Sequence, residues 1–446
     1  MYKAKINLCF NKLKASKSLG SLIVRVIGCV LSFLMTILLA QILSPQGYGT
    51  FSYALSMLSF LSVPLVTGLP TITVRETAKA KISENWANIL FLRSLATRRI
   101  FTYCTYLFAV GLTAFLFTHT QISKERQDVF LMGIITIPLL SIMVVNSAQV
   151  RGLNKIFQGL VPELIIRPLT ILLCLTLALS INLFGEITPQ IAMGFYVFGV
   201  FVSLVISYFI LKKYLPKKVN ISASKIDKKN WRQAASSLSI IGSLQMVNNY
   251  SDVLILGAYH DDTEVGIYRA MTQLGIVVVI GLTAINQKLH PQISKLYFSN
   301  QKEKLQEVIN RSWFLINTLA LIPGLALIFA GDIISSLLFG EDFVSKAGVL
   351  SLMIISFGLL VNTFFGSVGS LLNMTGHENY SLRGMAIGII VNLIISIVLI
   401  PEFGMYGAAI ANAISLVVWN MILHYYVWKK LGVQSIGILK TKIQRK

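Results

Sequence analysis

The stretch that decides the fold is ITPQIAMGFYVFGVFVSLVISYFIL at 187–211, which carries no charged side chain and is followed at once by KKYLPKKVNISASKIDKKNWR at 212–232. As a helix rising about 1.5 Å per residue, the first stretch reaches beyond the ~30 Å thickness of a bilayer's hydrocarbon core. A β-barrel strand needs only about ten residues and alternates in polarity, a pattern this run does not show. The run therefore spans a membrane as a helix, and the basic sequel belongs at the water interface. There it either attaches to anionic lipid or simply fixes the orientation of the chain.

The same reading extends over the whole chain. Of 446 residues, 55% are hydrophobic and 13% charged, against about 25% charged in an ordinary soluble domain. A mean hydropathy of +0.71 leaves too little polar surface for a water-soluble globule. The fold class is all-α integral membrane protein. Twelve spans are expected: 20–43, 50–70, 100–119, 129–150, 159–183, 187–211, 235–258, 265–286, 312–331, 346–372, 381–400 and 404–428. With both termini cytosolic, inner segments hold 33 of the 39 basic residues. Outer segments hold Lys124, Arg126, Arg269 and Lys346, while Arg25 and Arg167 lie within spans. This asymmetry follows the positive-inside rule, and one missed or invented helix would invert every later loop. It also accounts for the net charge of +21 without nucleic acid.

The basic loop divides the chain into a six-helix lobe at 1–211, a linker at 212–233, a second six-helix lobe at 234–430 and a basic tail at 431–446. A faint repeat supports the division. Gly49-x-Phe51 precedes Gly266-x-Tyr268 by 217 residues, and Gly185 precedes Gly407 by 222. Equal helix counts running in the same direction point to parallel repeats, related by a pseudo-two-fold axis along the membrane normal.

Charges at membrane depth are costly, by about 2.5–3.5 kcal/mol each on insertion scales, and usually face a bundle interior or a watery cavity. Arg25, near the start of span 1, is a candidate receptor for an anionic head group, since guanidinium matches phosphate oxygens; snorkelling to the interface is the alternative. Glu163 and Arg167, one helical turn apart in span 5, allow an intrahelical ion pair. Asp252, in the outer half of span 7, is either paired with a donor on a neighbouring span or forms a cation or proton site. Asp261, Asp262, Glu264, Glu341 and Asp342 read as solvated loop charges. Pro64, Pro70, Pro138, Pro162, Pro168 and Pro323 bend or weaken the spans that hold them.

Several chemistries find no support. The four cysteines, Cys9, Cys29, Cys104 and Cys174, and the five histidines, 119, 260, 290, 377 and 424, lack metal-ligand spacing. No P-loop is present, and no loop is long enough for an ordinary catalytic domain. Nothing calls for a cofactor or a metal, and a transporter rather than an enzyme is expected.

Four stretches carry a family resemblance: LLAQILSPQGYGTFSYALS at 38–56, SDVLILGAYHDDTEVGIYRA at 251–270, LLFGEDFVSKAGVLSLM at 337–353 leading to LLNMTGHEN at 371–379, and LIPEFGMYGAAIANAIS at 399–415. Together they resemble bacterial polysaccharide flippases, the Wzx-type exporters of O-antigen and capsule repeat units. Those belong to the superfamily that also contains multidrug (MATE) and lipid II flippases. Pro45, Gly49, Gly266, Tyr268, Pro401, Gly404 and Gly407 are the matching structural-motif positions. The resemblance implies a two-lobed MATE-like bundle in the bacterial inner membrane. It would move oligosaccharides linked to undecaprenyl diphosphate from the cytosolic to the outer leaflet by alternating access. Arg25 and Arg167 would serve the diphosphate, and Asp252 would couple transport to H+ or Na+. The expected partners are the lipid-linked oligosaccharide, membrane lipid, and the pathway's polymerase and chain-length regulator. A MATE-type drug or cation antiporter is one alternative, and a membrane polymerase or ligase of the same pathway is another.

Overall fold

In a computed structural model of the chain, all residues are described except 1, 84, 118–122, 182–184, 216–227 and 438–446. Much of the expected linker at 212–233 and of the tail at 431–446 lies outside the described residues. The described chain is helical, with no strand among the described residues. In chain order the helices are α1 (Tyr2–Ile42), α2 (Pro45–Val66), α3 (Gly68–Ile82), α4 (Trp86–Phe117), α5 (Lys124–Gly133), α6 (Thr136–Gly152), α7 (Ile156–Val161) and α8 (Arg167–Ser180). Then follow α9 (Pro189–Tyr214), α10 (Lys228–Tyr259), α11 (Asp262–Phe298), α12 (Lys302–Phe329), α13 (Gly331–Phe339), α14 (Lys346–Phe364), α15 (Val368–Met374) and α16 (Glu378–Leu431).

Among the described residues, nine helical stretches are long and apolar enough to cross a membrane by length and composition. Several expected spans prove to be composite. Span 2 is α2 and α3, broken at Thr67; span 4 is α5 and α6; span 5 is α7 and α8 joined by a π turn at Pro162–Ile166. There the Arg167 N–H reaches back to the Pro162 carbonyl, and Pro168 has no N–H with which to continue an α ladder. Spans 11 and 12 run together as α16, interrupted at Gly404, whose φ of 52° and ψ of −131° are not helical.

Capping side chains mark where helices begin. Ser123, Thr188, Asp261 and Ser345 each accept a hydrogen bond from the backbone N–H three residues on. Long apolar side chains face outward, Phe329 at 80%, Leu337 at 78% and Ile322 at 71% exposure. Only a hydrocarbon surround makes such a surface favourable.

Residue contacts divide the chain into two compact units, 1–43 with 50–246 and 44–49 with 247–446. In the first, α6 packs on α3, α4 and α9, while α1 lies along α7, the π turn and α8. Ala80, Ile89, Val150, Leu153 and Leu211 form a core at one end of it. In the second, α14 packs on α11, α12 and α16, α11 also meets α12 and α16, and α15 lies against α11 and α16. Its core at one end joins Leu289, Ile309, Leu371, Leu423 and Val427. Beyond α16 the chain turns back at Gly432, in the left-handed region at φ 65°. The Gln434 N–H then donates to Gln306 Oε1 at 2.8 Å, and Gln306 Nε2 donates to the Gln434 carbonyl at 2.9 Å.

Candidate functional site

The second unit encloses a carboxylate. Asp252, on α10, is 5% exposed. Tyr268, two turns into α11, donates its hydroxyl to Asp252 Oδ2 at 3.2 Å. The other partners come from α16, which doubles back at Gly404 and so aims residues from both of its arms at one point. Ser396 Oγ lies 3.5 Å from Oδ1, Asn412 Nδ2 donates to Oδ2 at 3.1 Å, and the Asn392 amide sits beside them. Ser251 Oγ donates to Asn392 Oδ1 at 3.4 Å, and Asn392 Nδ2 is buried without a hydrogen-bond partner.

Among the described residues, no cationic side chain pairs with Asp252. Burial of a carboxylate without a counter-charge is costly, and donors on neighbouring helices, one of the two arrangements expected from the sequence, offset part of that cost here. Ser251, Ser396 and the Asn392 carbonyl are oxygen ligands of the kind hard cations take, and the Tyr268 and Asn412 donors steady the ionised form. The sequence singled out Asp252 but took Tyr268 only as a structural position and missed Ser251, Asn392, Ser396 and Asn412. The available signal was Asn392 and Ser396, four residues apart in the otherwise apolar run 384–400.

The end of this unit above Asp252 explains the motif glycines. Where Gly404 leaves the helix, the Ile400 carbonyl and the Met405 N–H lose their ladder partners. His260 Nε2 lies 2.7 Å from the Ile400 oxygen, Glu264 Oε2 accepts from Met405 N at 3.2 Å, and His260 Nδ1 is 3.5 Å from Glu264 Oε1. Two side chains at the α10–α11 turn thus replace the missing backbone bonds. This corrects the reading of Glu264 as a solvated loop charge. Asp261 likewise accepts from the Glu264 N–H as the cap of α11.

Residues 44–49 belong to this unit by contact. Ser44 caps α2 by accepting from the Gly47 N–H at 3.3 Å, and Pro45 opens the helix. A Cβ on Gly49 would run into the Asp262 carbonyl, and one on Gly266 into the Pro45 carbonyl. The two glycines face each other's backbone, which no side chain permits. The second pair in the repeat is less equal: Gly185 is needed for its φ of 66° in open space, whereas a Cβ on Gly407 would meet the Leu399 carbonyl group at 2.6 Å.

The cationic candidates lie in the first unit. Arg25 is exposed on α1, one turn before Gly28, whose missing side chain lets α1 lie on Leu164 of the π turn. Arg151, on α6, packs its stem over Gly159 and lies within electrostatic reach of Glu163 and Arg25. Arg151 Nε is buried and makes no hydrogen bond within the described protein. Arg167 is half-buried. Among the described residues it forms no ion pair with Glu163, so the pairing suggested by their spacing gives way to Glu163 beside Arg151. The structure gathers Arg25, Arg151 and Glu163, and shows no contact that joins Arg167 to them.

The sequence profile described as polysaccharide biosynthesis protein matches residues 16–297. The chain belongs to the polysaccharide biosynthesis protein family. A second profile, MatE, matches residues 238–398. Relatives of this family member include the probable flippase AglR of Haloferax volcanii, 26% identical over 87% of the chain and 78% of AglR. The probable low-salt glycan biosynthesis flippase Agl15 of the same organism is 26% identical, over 46% of the chain and less than half, 44%, of Agl15. The capsular polysaccharide biosynthesis protein CapF of Staphylococcus aureus is 25% identical over 44% of the chain and 48% of CapF. Among solved structures, an inward-facing MATE family multidrug resistance transporter has a TM-score of 0.70 at 10% identity, covering 93% of this chain and 98% of its own. The lipid II flippase MurJ in an inward closed conformation has the same TM-score of 0.70 at 15% identity, covering 93% and 87%. At such identities these two similarities establish the fold, an all-α MATE-like membrane protein.

Proposed function

We propose that this protein moves lipid-linked oligosaccharides across a membrane, taking polyprenyl-diphosphate-linked repeat units from the cytosolic to the outer leaflet and coupling the movement to a monovalent cation, H+ or Na+, at Asp252. The observation that carries the reading is the enclosed carboxylate: a family member whose relatives include named flippases holds, at membrane depth, one acid among neutral polar groups. A chain that only scaffolded a pathway would have no use for a buried charge of this cost. Binding and release of a cation there would change the net charge of the second unit by one, which is the elementary step of an ion-driven cycle.

Arg25, supported by Arg151, is the proposed contact for the diphosphate, and Arg167 is retained as a second one at the same end of the unit. The lipid tail stays in hydrocarbon while the sugar and diphosphate need a polar path. The proposed setting is a bacterial inner membrane with both termini cytosolic, and the glycan is O-antigen or capsule. The two units would be the two lobes of an alternating-access transporter, working beside the pathway's polymerase and chain-length regulator.

The test is the leaflet distribution of undecaprenyl-diphosphate-linked repeat units in cells with and without the protein, read with a membrane-impermeant sugar-modifying reagent. Accumulation on the inner leaflet without the protein supports the proposal. Units that reach the outer face but stay unpolymerised point to the polymerase or ligase alternative, to be checked by chain growth with purified protein. The MatE match favours a second reading, a cation antiporter; resistance to cationic dyes on overexpression would support it.

A further inference from the structure

A second charged feature, far in sequence from Asp252 and from the arginines of the first unit, sits where α16 starts and ends. Close packing of its two arms creates it. A Cβ on Gly384 would come within 2.6 Å of Leu423, and one on Gly388 within 3.0 Å of Trp419, so the arms run in near contact and bring Tyr380 and Arg383 beside Tyr426 and Lys430. The Tyr380 and Tyr426 rings are 4.7 Å apart. Arg383 Cζ lies 5.6 Å and Lys430 Nζ 4.9 Å from the centre of the same Tyr380 ring. Lys429 Nζ lies 5.3 Å from the Tyr425 ring and donates to its hydroxyl at 3.1 Å.

Three cations are therefore concentrated on a small aromatic platform, and among the described residues none of them has a carboxylate partner. Cation–π contacts hold such side chains in place without neutralising them. The like charges of Arg383 and Lys430 on one ring repel, a repulsion that an anion with several acceptor oxygens would relieve. Arg383 also heads an exposed apolar stripe on one helix face, with Ile387 at 42%, Ile390 at 55% and Ile394 at 58% exposure. Trp428 and Met421, 57% and 55% exposed, continue the apolar surface on the other arm. Cations at the head of a hydrocarbon-facing stripe match an amphiphile bearing a phosphate. The asymmetry of basic residues puts this end at the cytosolic leaflet.

We infer that Arg383, Lys429 and Lys430, set on Tyr380 and Tyr425, form a binding site for the phosphate head group of an anionic phospholipid of the inner leaflet, its acyl chain lying along the Ile387–Ile394 face. The site is independent of the transport reading, because it needs neither Asp252 nor the oligosaccharide.

The test is native mass spectrometry of the full-length protein released from nanodiscs of mixed phosphatidylglycerol and phosphatidylcholine, as wild type and with Arg383→Gln, Lys429→Gln and Lys430→Gln combined. Wild type retains phosphatidylglycerol in preference to phosphatidylcholine, and the triple variant loses that preference by roughly tenfold or more. A control replacing Lys288, Lys295 and Lys304 with Gln keeps it. Tyr380→Leu, which removes the platform but no charge, weakens retention by a smaller factor. Equal retention in wild type and triple variant overturns the site, as does equal loss in the control, which would make the effect one of general surface charge. Displacement of the bound lipid by inorganic phosphate alone, or by undecaprenyl phosphate at equal mole fraction, overturns the assignment to a phospholipid.

Discussion

The two intramembrane charge sites treat the cost of burial in opposite ways. In the first unit, Arg25 is exposed and Arg151 shares its surroundings with Glu163, so positive charge is partly balanced and partly open to whatever lies beside α1. In the second, Asp252 is closed in by Tyr268, Asn392, Ser396 and Asn412, with no counter-charge among the described residues. An open cationic site suits a large anionic substrate that arrives and leaves with its own solvent and lipid. A closed acidic site suits only something as small as a proton or a bare cation. The contrast teaches that size selection can be read from the enclosure of a charge, while its sign selects the partner.

The largest expected effect comes from the closed site. Asp252→Asn keeps the shape and most hydrogen bonds but abolishes the charge, and transport should fall by about ten- to a hundredfold, the equivalent of the ~1.5–3 kcal/mol carried by a hydrogen bond to a charged group. The leaflet assay measures it, with membrane abundance as the control. Wild-type transport by this variant would break the comparison, since Asp252 would then be a structural acid only. Asn412→Ala and Tyr268→Phe sharpen it. Each removes one donor that steadies the ionised carboxylate, so each should lower the ion concentration needed for half-maximal transport by a few-fold, consistent with about 1 kcal/mol per hydrogen bond.

For the open site, Arg25→Gln should lower transport several-fold without lowering membrane abundance, less than Asp252→Asn because an exposed guanidinium is screened. Arg151→Gln should act on folding as well, since its stem packs on Gly159. Unchanged transport by Arg25→Gln would remove that residue from the mechanism and leave Arg151 and Arg167 as the proposed contacts of the first unit.

The spans were legible because a membrane demands about twenty apolar residues from each and a charge asymmetry from the loops; these are local properties of the chain. The breaks within spans were harder to see. Pro162 and Pro168 announced a disturbance but not that it would be a π turn, the segment on which α1 lies at Gly28. Asp252 stood out as an acid within a span, yet its partners did not. Asn392, Ser396 and Asn412 converge only because α16 reverses at Gly404, and pairings 140 or more residues apart leave no local trace. Arg151 was passed over because a basic residue at the inner end of a span reads as an orientation signal.

The smallest of these effects tests the support of the closed site rather than the site itself. Glu264→Ala leaves the Met405 N–H without its acceptor and frees His260 from one of its partners, beside the reversal that brings Asn412 to Asp252. The loss should be about 0.5–1 kcal/mol, because Glu264 is partly exposed and water can take its place. Thermal unfolding in detergent measures the stability, and the ion dependence of transport measures the site. If Gly404 serves only to make a turn, stability falls and ion dependence stays. If the turn also sets the Asp252–Asn412 distance of 3.1 Å, both change together. The second outcome is expected, because His260 and Glu264 hold the backbone on either side of Gly404 and the Asn412 arm begins directly after it.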